Sequence, residues 1–334
     1  MAIAAAVAFT NKKKILVFTN GYHGGTLSFP STLSATNVNL PHDFVLAPYN
    51  DIQGTRSIIS GLPRDSLAAI LVEPIQGSGG CIVGNKEFLQ FLNTTAHNLG
   101  ALFIVDEVMA SRLSYHGLSS ELDLKPDLVT LGKWVGGGMT FGAFGGRRDG
   151  PMAMFDPRGG VLSHSGTFNN NIITMAAGCA GLDIYTEDEV LRLNALGEDL
   201  KAGIEKVLSK YELTPSLEEE PCPMKNELES PFTGEQSDYP AKEISVESLS
   251  VTEKRDGMTN MWVTGQGSMI VIHFAGESEK SLLALLWHHM LNHGVYMAQR
   301  GFMALNLELT GAHVEKFVVA IDEFVGQYRQ ALSS

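Results

Sequence analysis

Four short apolar runs set the terms on which this chain can fold: ILVF (15–18), LAAILV (67–72), ALFIVD (101–106) and DLVTL (127–131). They are mostly continuous rather than alternating. A strand with one wet face alternates apolar and polar residues; a strand covered on both faces does not. The runs therefore predict an α/β fold with a mostly parallel sheet and flanking helices. Between the second and third runs lies NKEFLQFLNTTAHNLG. Its Phe88, Leu89, Phe91 and Leu92 suit one face of a helix, and Gly100 supplies a stop. Strand, helix and strand form the unit from which parallel sheets are built.

After Thr167 the pattern changes. NNNIITMAAGCAGLDIYTEDEVLRLNALGEDLKAGIEKVLSKY predicts two long helices broken near Thr186. A strand, SMIVIHF (268–274), a helix, SLLALLWHHMLNHG (281–294), a strand within YMAQRGFMALNLEL and a last helix, AHVEKFVVAIDEFVGQYRQAL, follow. The expectation is a large domain over 1–190 and a smaller α+β C-terminal domain over 191–334, since 334 residues are long for one core. Glu212 to Arg255 carries 11 acids against 4 bases, about half of the chain's net charge of −13. That stretch is also rich in Pro and Ser, which predicts a solvated insertion at about 212–256. MAIAAAVAF resembles a signal sequence, but its basic cluster, Lys12 to Lys14, follows the apolar part, so a helix is the better reading. A helix that begins at Met1 with no capping residue before it predicts an N-terminally truncated chain.

The acidic balance argues against nucleic acid or an anionic membrane surface as the main partner. No apolar run reaches the roughly 18 residues of a membrane helix. Cys81, Cys179 and Cys222 are far apart with no CxxC, which fits a reduced, cytoplasmic chain.

In open parallel sheets, ligands bind beyond the carboxyl ends of the strands. There the first run leads to Tyr22 and His23 in NGYHGGT. The second delivers Glu73, the third Asp106 and Glu107, and the fourth Lys133. Each could be a solvated strand end when taken singly; the set is what points to chemistry. A P-loop fails, because position 127 is Asp and Trp134 follows the lysine. No GxSxG is present. A zinc site is not expected either: His288 and His289 are adjacent and face different directions on a helix, and no HExxH exists. A Schiff-base lysine fits better. That chemistry, with a carbonyl cofactor such as pyridoxal phosphate, needs a carboxylate for the ring nitrogen, a sandwich for the ring and a cup for the phosphate. Asp106, Tyr22 and Val108 can fill the first two roles. Gly166-Thr167 before a helix start offers phosphate donors.

The blocks YHGGT, VEPIQGSGG, VDEV, LGKWVGGGM, FGGR and HSGTFNNN, in this order, resemble the signature blocks of class III aminotransferases of fold type I. HSGTFNNN and DEVMASR look closest to the branch holding glutamate-1-semialdehyde aminomutase. The resemblance runs to about residue 210 and resumes from about 262. It implies pyridoxal 5'-phosphate as cofactor, with Lys133 as Schiff-base lysine and proton shuttle. It also implies Asp106 on the pyridine nitrogen, Tyr22 and Val108 on the two ring faces, His23 and Glu73 in the cofactor site, and Thr167 on the phosphate. Glu107 and Arg300 are the candidates for substrate contact, with Arg112 a weaker one. A homodimer with shared active sites, a small-molecule amino donor and a carbonyl acceptor are implied in turn. Family members carry a Gly/Ser-Thr-Glu-Ala-Asn type segment just upstream of the opening helix, and this sequence does not include it. The aminomutase often has an acidic residue soon after its YHG, whereas YHGGTLSF has none, so a transaminase is the preferred reading. The aminomutase, or a truncated non-catalytic paralogue serving as a binding or dimerisation scaffold, are the alternatives.

Overall fold

A computed structural model describes residues 1–30, 38–213 and 261–333. Most of the acidic insertion lies outside the described residues. Six strands form the main sheet: β1 (Lys14–Phe18), β2 (Asp43–Ala47), β3 (Leu67–Val72), β4 (Leu102–Asp106), β5 (Leu128–Gly132) and β6 (Gly142–Gly146). They lie in the order β6-β5-β4-β3-β1-β2. All neighbours are parallel except β6, which runs antiparallel to β5. The four apolar runs became β1, β3, β4 and β5. The sequence reading missed β2 and β6, both edge strands: DFVLA in β2 is only partly buried, and GAFGG in β6 carries three glycines.

Every residue of β3 and β4 is buried. Alternate residues divide between the two faces, as a period of two requires. Leu16, Phe18, Ile70, Val72, Phe103 and Val105 pack with Phe88, Leu89 and Leu92 of the helix Lys86–Asn98. Ile15, Val17, Leu71 and Ile104 pack with Ile3, Ala5 and Ala6 of the opening helix Ala2–Thr10. With these two helices as α1 and α3, and Ile52–Ser60 as α2 between them, the sheet is covered on both sides.

Helices α4 (Ile172–Ile184) and α5 (Glu187–Lys210) are separated at Thr186. The Thr186 hydroxyl accepts the Glu189 N–H at 3.4 Å, and Glu187, Asp188 and Glu189 bring negative charge to the positive end of α5. Beyond the undescribed stretch, strands β7 (Met261–Gln266), β8 (Met269–Phe274) and β9 (Phe302–Ala304) form an antiparallel sheet. β7 was not anticipated, and the strand expected within 296–309 shrinks to three residues. Helices α6 (Glu279–Asn292) and α7 (Gly311–Ser333) join α5 against this sheet. Leu200, Ile204, Phe274, Leu286, Ile321 and Phe324 are among the residues of that core.

Arg112 ties the two cores together. Its Nε donates to Ser268 Oγ at 3.0 Å, its guanidinium also donates to the Leu305 carbonyl, and its own carbonyl accepts the Tyr185 hydroxyl at 2.8 Å. Nε and one terminal nitrogen are committed to this strut, which counts against its candidacy for a substrate carboxylate. Close by, α5 crosses the β7–β8 turn at Gly197, where an added Cβ would lie 1.9 Å from the Gly267 carbonyl oxygen. Helix propensity alone favours alanine over glycine by ~1 kcal/mol. Backbone cannot swing aside as a side chain does, and overpacking costs about 1–3 kcal/mol. Gly197→Ala is therefore expected to lower stability in urea denaturation; a rise would show that the turn yields freely.

Candidate active site

Beyond β1 the chain turns back on itself through the short antiparallel pair Gly21–Tyr22 and Ser28–Phe29. This hairpin brings His23 over the end of β4. His23 Nδ1 lies 2.7 Å from Asp106 Oδ2, and both side chains are nearly sealed from solvent. Asp106 Oδ1 accepts the Val108 N–H at 3.0 Å. Burial alone would strip the proton from His23, but the hydrogen bond and charge of Asp106 outweigh it and raise the imidazole above its ordinary value. Burial likewise opposes the Asp106 charge, yet the His23 hydrogen bond and charge, with the Val108 amide, hold that carboxyl below its usual range. The result is a buried carboxylate that stays ionised.

Glu73, at the end of β3, is buried as well. Its Oε2 accepts the Tyr22 N–H at 2.9 Å and its Oε1 the Gly77 N–H at 3.3 Å. Burial pushes its carboxyl up to about 7, with the Asp106 charge adding and His23 and the two amides opposing. Glu73 thus pins the backbone of the hairpin that carries Tyr22 and His23.

Lys133 follows directly on β5. Its φ is +53°, a left-handed conformation that costs a non-glycine residue about 1–2 kcal/mol. Partial burial draws its amine below the ordinary lysine value; Asp106 and Glu73 oppose, and Arg300 reinforces. Lys133, Asp106, Glu73 and Arg300 therefore share one electrostatic neighbourhood. Arg300 is exposed, with its guanidinium 5.3 Å from the Phe302 ring centroid. Val108 is half-buried and lies where a Cβ on Gly132 would meet it at 3.4 Å. Tyr22 is 41% exposed, so its ring is free for a ligand.

The glycines after Lys133 serve the fold as much as any ligand. Gly137, at φ +60°, lies so close to α4 that a Cβ would come 2.0 Å from the Ala177 carbonyl oxygen. Thr167 is exposed, and the helix it was expected to introduce begins only at Ile172. The first free amides of that helix, Ile173 and Thr174, are taken by the Asn171 side chain.

Glu107 departs from expectation. It is buried, and its carboxylate accepts from Leu118 N at 2.7 Å, from Ser119 N at 3.1 Å and from the Ser119 hydroxyl. It caps the short helix Leu118–Glu121, which corrects its candidacy as a substrate contact. Successive residues of an extended chain face opposite ways, so Asp106 and Glu107 cannot both enter one site. The sequence reading also missed Gln76 and Thr130. The buried Gln76 Oε1 and Thr130 Oγ1 have no hydrogen-bond partner among the described residues. Gln76 follows Glu73 by three positions, and Thr130 is the register partner of Asp106, whose charge it favours without a well-formed hydrogen bond. Orphaned buried oxygens cost about 1–3 kcal/mol each unless something polar meets them. The Thr130 oxygen beside an ionised Asp106, together with the partly desolvated Lys133 amine, fits a polar, ring-bearing cofactor.

A lysine and a carboxylate thus stand at the carboxyl ends of adjacent parallel strands, in a mostly parallel sheet of the kind found in pyridoxal-phosphate enzymes of fold type I. Residues 1–218 match the family model for "Aminotransferase class-III". The chain is 41% identical to a beta-phenylalanine transaminase from Variovorax paradoxus, over 98% of this chain and 66% of the relative. It is 30% identical to a glutamate-1-semialdehyde 2,1-aminomutase from Clostridium kluyveri, over 97% of this chain and 72% of the relative. The solved beta-phenylalanine aminotransferase of Variovorax paradoxus superposes with a TM-score of 0.82 at 39% identity, covering 99% of this chain and 68% of that one. The chain belongs to the class III aminotransferases, whose cofactor is pyridoxal phosphate. It spans about two thirds of the length of the curated relatives it matches.

Below the folded pKa of Glu73 the folded chain holds a proton that the unfolded chain releases above its ordinary value of 4.5. Stability should therefore fall as pH rises from about 4.5 to about 7. In Glu73→Gln that slope should flatten, as read from urea midpoints across the window. An unchanged slope would assign the proton to another group.

Proposed function

We propose that this chain is an aminotransferase that moves an amino group between a small amino compound and a keto acid or aldehyde, with Lys133 as the covalent and proton-transferring residue. The observation that carries the reading is the pairing of a buried, ionised Asp106 at one strand end with a partly desolvated lysine at the next. When bound, pyridoxal phosphate supplies an aldehyde for the lysine amine and an electron-poor ring that accepts the electrons of a broken Cα–H bond.

The chain's own groups then have distinct tasks. Asp106 keeps a proton on the ring nitrogen, and His23 holds Asp106 in place and in charge. Lys133, with its pKa lowered, offers a neutral amine that takes the proton from the substrate Cα and returns it one carbon away. Tyr22 covers one ring face and Val108 the other. Glu73 fixes the hairpin, and Thr167 is the residue that would hold the phosphate. Arg300 is the candidate for a substrate carboxylate.

Similarity to a beta-phenylalanine transaminase at 41% identity favours a transaminase over an aminomutase. It nominates an aromatic β-amino acid as the first donor to test. We further propose a large domain to about residue 190 and a smaller one after it, a cytoplasmic location, and a homodimer. Among the described residues no helix is long and apolar enough to cross a membrane.

The homodimer rests on α4. Its sequence, IITMAAGCAGLDI, has no basic residue and one acid, yet only Gly178 is buried. Ile172 is 80% exposed and Ile173 62%, and the preceding Phe168 is 82% exposed. A helix apolar all round belongs in an interior, and a contiguous exposed apolar face marks an interface.

Two measurements test these readings. Lys133→Ala should abolish the lysine-dependent visible absorbance of the bound cofactor and lower transamination by ~10³-fold or more; retention of both sinks the assignment. In sedimentation velocity the wild-type chain should run as a dimer and Ile173→Asp should shift it toward monomer. A monomeric wild type removes the case for α4 as the interface.

A further inference from the structure

A second cluster of ligating side chains lies on α6 and α7, helices that carry none of the strand-end residues. His289 lies on α6 and His293, four positions on, is the residue that caps its C-terminus, so the two stand one above the other. Their rings stack with centroids 4.3 Å apart and an interplanar angle of 28°. Glu323 approaches from α7, with Oε2 2.7 Å from His293 Nε2. One potential ligand atom from each of the three lies within 4.8 Å of the others. Phe324 packs beside His289 with ring centroids 5.4 Å apart.

We infer that His289, His293 and Glu323 form a binding site for a divalent transition-metal ion, with Zn²⁺ the best match to the donor set. Two imidazoles and a carboxylate suit zinc and its neighbours, whereas calcium and magnesium want oxygen alone. Three protein ligands leave the fourth tetrahedral position to water.

The hydrogen bonds around the two rings are those of metal ligands. His289 Nε2 lies 2.9 Å from the Ala320 carbonyl, and His293 Nδ1 lies 2.8 Å from the His289 carbonyl. A carbonyl only accepts, so each of these nitrogens carries its hydrogen. That leaves His289 Nδ1 and His293 Nε2 as the nitrogens for a ligand, with tautomer and orientation fixed from behind by backbone. His293 Nε2 meets a carboxylate, which also only accepts when ionised.

Metal entry replaces the contact between His293 Nε2 and Glu323 Oε2 with bonds from each of these atoms to the ion. No electron changes hands. Tetrahedral ligands at zinc distances sit about 3.3 Å apart. His293 Nε2 and Glu323 Oε2 must open slightly, and the other pairs, within 4.8 Å, close by at most about 1.5 Å. Glu323, with its side chain 57% exposed, has the rotamer freedom for this. Lys316, whose Nζ lies 3.3 Å from the Gly294 carbonyl, is the nearby positive charge that opposes the ion. A bound metal would staple the last helix to α6. The inference stands independently of the aminotransferase reading.

Calorimetric titration of the tag-free full chain with ZnCl₂ tests it. The expected result is one site and a raised unfolding temperature with zinc. His293→Ala and Glu323→Gln should each weaken that site by about tenfold or more, whereas His288→Ala, on the exposed side of the same helix, should leave it intact. Glu323→Gln alters an exposed side chain, so it reads the site even if His293→Ala fails to fold. Zinc binding of unchanged affinity and stoichiometry in Glu323→Gln, or no saturable binding to the wild type, overturns the inference.

Discussion

The contact between His23 and Asp106 is the one on which the rest of the site depends. It joins a hairpin after the first strand to the end of the strand two places away in the sheet. Both partners are sealed from water, where an unpaired charge would cost several kcal/mol. Each therefore fixes the other's protonation state. Glu73 clamps the same hairpin from the intervening strand through the Tyr22 amide. Three carboxyl-end loops are thus locked to one another before any ligand enters, and the lysine turn on the fourth strand faces a rigid wall rather than a set of loose ends.

The parts legible in the sequence were those with one dominant physical cause. β3 and β4 are covered on both faces, and nothing but continuous apolar sequence suits that position. β2 and β6 are edge strands, where half-exposure and glycine blur the pattern until pairing partners are known. Glu107 looked like a second carboxylate beside Asp106, yet its partners, the amides of Leu118 and Ser119, lie 11 and 12 residues further on. The pairing of His289 with His293 was readable in principle from the four-residue spacing. Glu323, 30 residues beyond His293, needed the helix packing.

The apolar helix α4 and the lysine turn are bound by a close approach. Gly137 sits against the Ala177 carbonyl with no room for a side chain. The glycines that seemed to make space for a flat ligand also let the lysine turn rest on the backbone of a helix whose apolar residues are largely exposed. Surface and site are therefore one mechanical unit.

Lys133 holds a backbone conformation that glycine or asparagine would adopt with less strain. A laboratory selection for thermal tolerance alone would drift toward those residues at position 133 and, in doing so, erase the amine. On the proposed function, a library screened for robustness in this scaffold must keep position 133 fixed, because the residue proposed for the chemistry and the residue that folding favours are different.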